Sequence, residues 1–370
     1  MDKPVIILGG GFWGGLLAWR LKETLPGINF KLYAENSTLG HHGSCSFRES
    51  DCEESMKWLN PLISQSWGQH HIKCGTFEKW ITNPYHLMES NHFHEVIHEK
   101  LGDSLILNNP MNVEFALQSG SFVIDTRNIC HYKKGAYRKW VSLEVELSED
   151  HHLIAPVIFD NAIDQSESAR YLYYLPINSR RLLIKDFRIS ETKRIDIEET
   201  RNGLMNSMKH KGWRVEKIIK EDFGAVEFPL APPVIRQEGR VINLAAIFHD
   251  TTGCSIPSAT RLIDRMVKTS FRFGELKEVV KNFRKEEEAD RKFFRFLNSQ
   301  LLEMNDSRIL EAVYNQPYSL VERFSRGKLT MLDRSRITVG RSANRISGLV
   351  NMVMPYTLQP RVQYSDHKSV

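Results

Sequence analysis

The chain has 370 residues, 41% of them hydrophobic and 26% charged, with a formal net charge of +5. That is an ordinary composition for a soluble globular protein, too long for one simple core, so two or three lobes are expected. The mild positive balance argues for neither a nucleic-acid binder nor a strongly basic membrane binder. The five scattered cysteines, with no CxxC pair, argue against a disulfide framework and a thiolate zinc site.

The first apolar run, "VIILGGGFWGG", is broken by glycines, which excludes a signal peptide, and no stretch approaches the roughly 20 apolar residues of a membrane-spanning helix. A cytoplasmic protein is expected, meeting a membrane only from the side. Val5 to Leu8 read as a buried parallel strand, followed by Gly9, Gly11 and Gly14 at G-x-G-x-x-G spacing. "LLAWRLKETL" then carries apolar residues at helical spacing, and a second strand, "NFKLYAE", ends on Glu35. Gly9 permits the tight turn, Gly11 admits a pyrophosphate to the helix N-terminus, and Gly14 lets helix and strand pack closely. Glu35 sits where a carboxylate accepts hydrogen bonds from an adenosine ribose. The order strand, glycines, helix, strand and acid predicts dinucleotide binding, with FAD preferred over NAD because the downstream layout is not that of a dehydrogenase.

"HEVIH" at 94–98 matches H-E-x-x-H, which can place two zinc ligands on one helical face. In the helix "SNHFHEVIHEKLGD", capped by Ser90 or Asn91, Phe93, Val96, Ile97 and Leu101 form the buried stripe and His94 and His98 lie towards the polar side. No third ligand is evident, so no metal site is expected. The paired histidines at 41–42, 70–71 and 151–152 read as loops.

"FVIDTRN" is a strand ending in Asp125, where the chain returns to the nucleotide domain. Residues 139–190 read as four strands with turns at 148–151, 165–169 and 177–180. On the second of them Asp160 and Asp164 are expected on one face. Tyr171, Tyr173 and Tyr174 on the third suit either the wall of an apolar cavity or an ordinary helix-covered sheet. The fourth, "RRLLIKDFRIS", sets Lys185 beside Asp186, which must point to opposite faces. "RVINLAAIFHDTTGCSIPSATRLIDRMVK" (240–268) is strand, loop, helix, with the backbone amides of Thr251, Thr252 and Gly253 offered to a ligand at the helix N-terminus. Residues 271–345 read as helices; a basic amphipathic stretch, with Arg323, Arg326, Lys328, Arg334, Arg336, Arg341 and Arg345, can rest on an anionic bilayer. The alternative is a solvated basic face on a packed helix. No base-stacking module accompanies the charge, so no nucleic-acid partner is expected.

The stretches "ILGGGFWGGLLAWRL", "VIDTR", "YRKWVSLEVEL", "VIFDNAIDQ", "YLYYLPINSRRLLIKD", "AAIFHDTTGCSIP", "RKFFRFLNSQLL" and "LVERFSRGKLTMLDRSRI" resemble, in order, the bacterial lycopene β-cyclases, from residue 5 to about 341. The resemblance implies an α/β fold: a Rossmann-like FAD/NAD(P)-binding domain, an antiparallel-sheet substrate domain and a helical C-terminal region. The implied FAD-binding domain comprises 1–50, 110–160 and 238–270, and the substrate domain 51–109 and 161–237. Helices at 271–350 and a flexible tail at 356–370 complete the expected division. It further implies non-covalent FAD, required in its reduced form with NAD(P)H as a reductant, and an apolar tunnel for lycopene or another linear carotene. The implied setting is peripheral, on the inner face of the cytoplasmic membrane. The implied reaction is an isomerisation: alkene protonation, ring closure and proton loss. In the bacterial enzymes Lys185 is matched by Glu, the "GSCSF" segment by H-T-W-S-F, and "FHDTTGCS" by F-H-P-T-T-G-Y-S. Asp186 is therefore the expected acid, with Asp160 and Asp164 as further candidates. The competing expectation is a flavoprotein oxidoreductase or monooxygenase for another lipophilic substrate, or a non-catalytic FAD- or carotenoid-binding protein.

Overall fold

The computed structural model describes residues 3–339 except 41–42, 76, 166–167, 236–238 and 306. The expected tail at 356–370, the part of the expected helical region beyond 339 with Arg341 and Arg345, and the pair His41-His42 lie outside the described residues. Val5–Leu8 is buried along its whole length, as a strand covered on both faces must be. It is the middle of a parallel five-stranded sheet in the order 241–243, 123–125, 5–8, 30–33, 105–106. The helix Phe12–Thr24 follows it and buries Leu16, Leu17, Trp19 and Leu21. Gly9 takes φ +116°, and a Cβ on Gly14 would lie 1.9 Å from the Gly9 carbonyl oxygen. The positive φ is the physical reason for glycine at 9, and the close approach is the reason for glycine at 14.

The second lobe is a seven-stranded sheet ordered 215–229, 135–147, 181–190, 169–176, 157–160, 70–73, 78–81. It is antiparallel except where Val157–Asp160 runs parallel to His70–Lys73. The four strands expected in the middle of the chain are present as Gly135–Leu147, Val157–Asp160, Ala169–Pro176 and Arg181–Ser190. The long strand Val215–Pro229 was not legible, because as an edge strand it exposes most of its first half and shows no apolar alternation. The pair His70-His71 belongs to a strand rather than a loop. Leu105–Ile106 joins the parallel sheet and Val157–Asp160 the antiparallel one, so boundaries at 109/110 and 160/161 cut across both sheets.

One sequence inference fails on a local distortion. Phe159 has φ +66°, both ladders skip a residue there, and the strand ends at Asp160. The alternation that would align Asp160 with Asp164 is broken, and Asp164 is an exposed loop residue.

Four helices close the described chain: Phe273–Met304, Arg308–Tyr314, Tyr318–Arg326 and Met331–Val339. Asp250, buried in the loop after the last parallel strand, receives Arg291 at 2.8 Å and Arg295 at 3.5 Å, and so fixes the long helix to that loop. The basic amphipathic stretch turns inward. Leu320, Val321, Phe324 and Leu329 are buried, while Arg323 pairs with Asp333, Lys328 with Glu287 and Arg334 with Asp290. Those four apolar side chains are core, whereas Met331 and Leu332 are exposed. Among the described residues, no helix is long and apolar enough to cross a membrane.

Gly14→Ala is expected to lower stability by about 1–3 kcal/mol in a denaturant titration, because the new methyl overlaps the Gly9 carbonyl. An unchanged midpoint would show that the glycine turn relaxes freely.

Candidate functional site

A cavity of about 670 Å³ runs from the glycine turn of the parallel sheet to the inner face of the antiparallel sheet. At the first end it is bounded by Gly9, Gly10, Gly11, Glu35, Arg127 and the segment 109–111. A Cβ on Gly11 would meet nothing within 4 Å, so this turn opens directly onto the cavity. Glu35 is exposed at the rim. Gly14 and Asp125 do not face the cavity: the first makes the strand–helix contact, and the second holds Arg127 through bonds of 2.9 and 2.7 Å. An elongated dinucleotide fits this end, with the open glycine turn for its pyrophosphate and Glu35 for its ribose.

The loop 249–255 borders the middle of the cavity. Its amides are used differently from the sequence expectation. His249 Nε2 donates to the Phe324 carbonyl at 2.7 Å, which leaves Nδ1 to accept the amides of Thr251 and Thr252 at 3.3 and 3.1 Å. The Gly253 amide donates to the His249 carbonyl at 2.7 Å. These three amides therefore shape the loop. Burial pushes the His249 imidazole down to about 4, so the ring stays neutral in this tautomer. Gly253 has φ +65° and lies against Arg138, whose guanidinium would stand 2.3 Å from an added Cβ. Thr252 and Gly253 face the cavity, whereas Thr251 is buried behind it.

The other end carries Cys45, Arg48, Asp51, Tyr85, Arg138, Trp140, Tyr173, Lys185 and Phe187. The pleat of Arg181–Ser190 sends Lys185 into the cavity and Asp186 to the opposite face. Asp186 is fully buried there, with Arg170 Nη2 at 2.6 Å and Nε at 3.0 and 3.1 Å, and Arg188 at 3.5 Å. It is a structural carboxylate with its acceptor capacity filled. Asp160 also points away, bonded to Lys211 at 3.2 Å and to the Ala162 amide at 3.1 Å. Of the four expected chemical residues, only Lys185 reaches the cavity.

Lys185 Nζ donates to the Ser44 carbonyl at 2.7 Å and is buried; that burial pulls its ammonium down to about 8. The carboxyl that sequence reading missed is Asp51, in the 3₁₀ turn Glu49–Ser55 after the strand Cys45–Arg48. Burial raises Asp51 to about 6, against the opposing pull of Arg48 3.7 Å away. Its Oδ1 is buried without a hydrogen-bond partner among the described residues. Arg48 is held in turn by Ser325 at 2.6 Å and by His70 Nε2 at 3.4 Å. The only sequence signal for Asp51 was a charged run, "FRESDCEES", that reads as surface. Outside the cavity lining, His94 Nδ1 accepts the Leu39 amide at 3.3 Å. Among the described residues, no group of three or more His, Cys, Asp or Glu is arranged to hold a metal.

The two-lobed architecture is shared with solved structures. It superposes on a geranylgeranyl bacteriochlorophyll reductase-like protein from Thermoplasma acidophilum with a TM-score of 0.62 at 9% identity, over 95% of this chain and 99% of that one. A tryptophan 6-halogenase from Streptomyces toxytricini matches at TM-score 0.56 and 10% identity, over 91% of this chain and 90% of the other. The model of the family described as "Lycopene cyclase protein" matches residues 4–348. The chain therefore belongs to the lycopene cyclase protein family. It is 29% identical to a lycopene beta-cyclase of Pseudescherichia vulneris, over 92% of this chain and 94% of that protein. It is also 27% identical to one from Pantoea ananas, over 95% and 97% respectively.

Two predictions follow from the pleat at 185–186. A folded-state lysine value of about 8, below the ordinary 10.5, means that the ammonium is carried at a cost at neutral pH. The cost is complete below about 8 and disappears as pH rises towards 10.5, where both folded and unfolded chains hold a neutral amine. Lys185→Met should therefore unfold at higher denaturant than the parent at pH 7, and the gap should narrow above pH 8. Asp186→Ala leaves Arg170 without its buried partner and should cost about 3–5 kcal/mol of stability. A loss under 1 kcal/mol in the same titration would show that Arg170 finds water instead.

Proposed function

We propose that this protein is a flavin-dependent carotene cyclase that isomerises a linear carotene end to a β-ring with no net redox change. The observation that carries the reading is a buried, half-paired carboxyl, Asp51, in an aromatic-lined cavity that also opens on a dinucleotide turn. Family membership supports lycopene as the substrate class. FAD is the proposed cofactor, lying from Gly9, Gly11 and Glu35 towards Thr252 and Gly253, with Arg138 against the same loop. When bound and reduced it supplies negative charge beside a cationic transition state.

The chain's own residues supply the rest. A carotene has no polar handle, so its affinity rests on burial of apolar area, at roughly 25 cal/mol per Å² before entropic costs. Asp51 in its acid form gives a proton to the terminal alkene. Tyr85, Trp140, Tyr173 and Phe187 face the cation that closes into a ring, and their π faces stabilise it. Proton loss then regenerates the alkene in its new position. Substrate entry from a cytoplasmic membrane face is proposed along the strand Val215–Pro229, whose Ile218, Ile219 and Phe223 are exposed and whose Val226 borders the cavity.

Lys185 supports a second reading. An ammonium in the cavity repels a developing carbocation. A flavoprotein acting by redox chemistry on another lipophilic substrate has no such conflict. Expression in a lycopene-accumulating bacterium, followed by pigment analysis, separates the two. β-Ring products support cyclisation; unchanged lycopene beside a flavin-loaded protein supports the second reading, more strongly if Lys185→Glu then cyclises.

For the cyclase, Asp51→Asn should reduce ring formation by about 10²-fold or more, the typical contribution of a positioned acid. The acid form is depleted as pH rises through about 6, so initial rates should fall above that value. A rate that is flat from pH 5 to 8 would remove Asp51 from the reaction.

A further inference from the structure

Three positions at which the chain differs from the residues its resemblance predicts are Cys45, Cys254 and Lys185, and the fold gathers them on one stretch of cavity wall. Cys45 opens the strand Cys45–Arg48. Cys254 lies in the turn between Gly253 and the helix Ile256–Met266. Cys254 Sγ donates to the carbonyl of Ser46, the residue that follows Cys45, at 4.0 Å, so this thiol lies against the strand that Cys45 opens. The Lys185 ammonium is tied to the carbonyl of Ser44, the residue preceding Cys45, and Arg138 borders the same wall. The remaining cysteines are placed differently. Cys52 is buried and accepts a hydrogen bond from Thr260 at 3.8 Å, and neither Cys74 nor Cys130 borders the cavity.

We propose that Cys45 and Cys254 are a redox-active dithiol on the flavin site, which closes to a disulfide as it passes two electrons to the isoalloxazine. The proposal rests on the flavin reading above. The two sulfurs are unequal, as such a pair requires. The neighbouring Cys254 thiol and the positive charge of Lys185 lower the Cys45 thiol, while the neighbouring Cys45 and burial raise that of Cys254. Oxidation breaks both S–H bonds and forms the Sγ–Sγ bond. Two thiols become one disulfide, two protons and two electrons, and the oxidised flavin accepts the electrons. Rotation about the two Cα–Cβ bonds brings the sulfurs to the ~2.05 Å of a disulfide without a change in the loop backbone. The pair thereby stores reducing equivalents beside a flavin whose reduced form the cyclisation needs.

The test uses the full chain purified with its flavin, without oxygen. The protein is treated with a phosphine, which reduces disulfides, and is followed by flavin absorbance. Alkylation and peptide mass mapping then report the state of every cysteine. Bleaching of one flavin per chain, together with a Cys45–Cys254 cross-linked peptide on re-oxidation, is the expected result. Cys45→Ser and Cys254→Ser should each slow bleaching by about tenfold or more and abolish the cross-link, whereas Cys130→Ser should do neither. Retained flavin shows that each variant folds. A flavin-loaded chain whose two thiols stay free on oxidation, or serine variants that bleach like the parent, overturns the dithiol alone. A chain that binds no flavin overturns the cofactor reading and the electron route together.

Discussion

The site depends on the pleat of one strand. In Arg181–Ser190, neighbouring side chains leave on opposite faces, so of two adjacent charges one enters the cavity and the other leaves it. The ladder to Gly135–Leu147 fixes which: Ser142 pairs with Lys185 and Val141 with Asp186, and a slip of one residue would exchange the two charges. The same parity sends Phe187 into the cavity beside Lys185. Arg170, from the next strand, clamps Asp186 on the outer face and so opposes a slip. Lys185 then reaches the backbone of Ser44 and ties the large sheet to the strand that carries Cys45, Arg48 and the approach to Asp51.

The cavity is correspondingly polarised. Lys185, Arg138 and Arg48 place positive charge along one wall, and the carboxyl that answers them, Asp51, is burdened by burial. Behind the loop at its middle, a neutral His249 organises two amides, and Asp250 anchors the long C-terminal helix through Arg291 and Arg295. Removing polar partners from such a buried network exposes whole charges to a low dielectric. These residues therefore hold the loop in one shape, whatever ligand it meets.

Much of the parallel-sheet half was legible from the chain alone. The glycine spacing, the flanking strands and Glu35 fall within thirty-odd consecutive residues, and local steric rules give each glycine its place. The family resemblance was legible too, because it lies in ordered blocks. The chemical end was not. Asp51 is far in sequence from the antiparallel strands 135–147, 169–176 and 181–190 that share the cavity with it, and looked like part of a solvated acidic run. Asp186 looked like the surviving acid until its partner Arg170, from a neighbouring strand, became visible. The aligned pair Asp160 and Asp164 failed on a single positive φ at Phe159, which no alternation pattern reveals.

The sequence by itself determined that strand, glycine turn, helix and strand open the chain, that four strands occupy its middle, and that Lys185 and Asp186 must diverge. These follow from short-range geometry, which the order of residues dictates. Only the tertiary structure decided which of the two enters the cavity, which carboxyl waits there, and that Cys45 and Cys254 border the same cavity. Those are contacts between residues far apart in the chain, set by strand register and lobe packing.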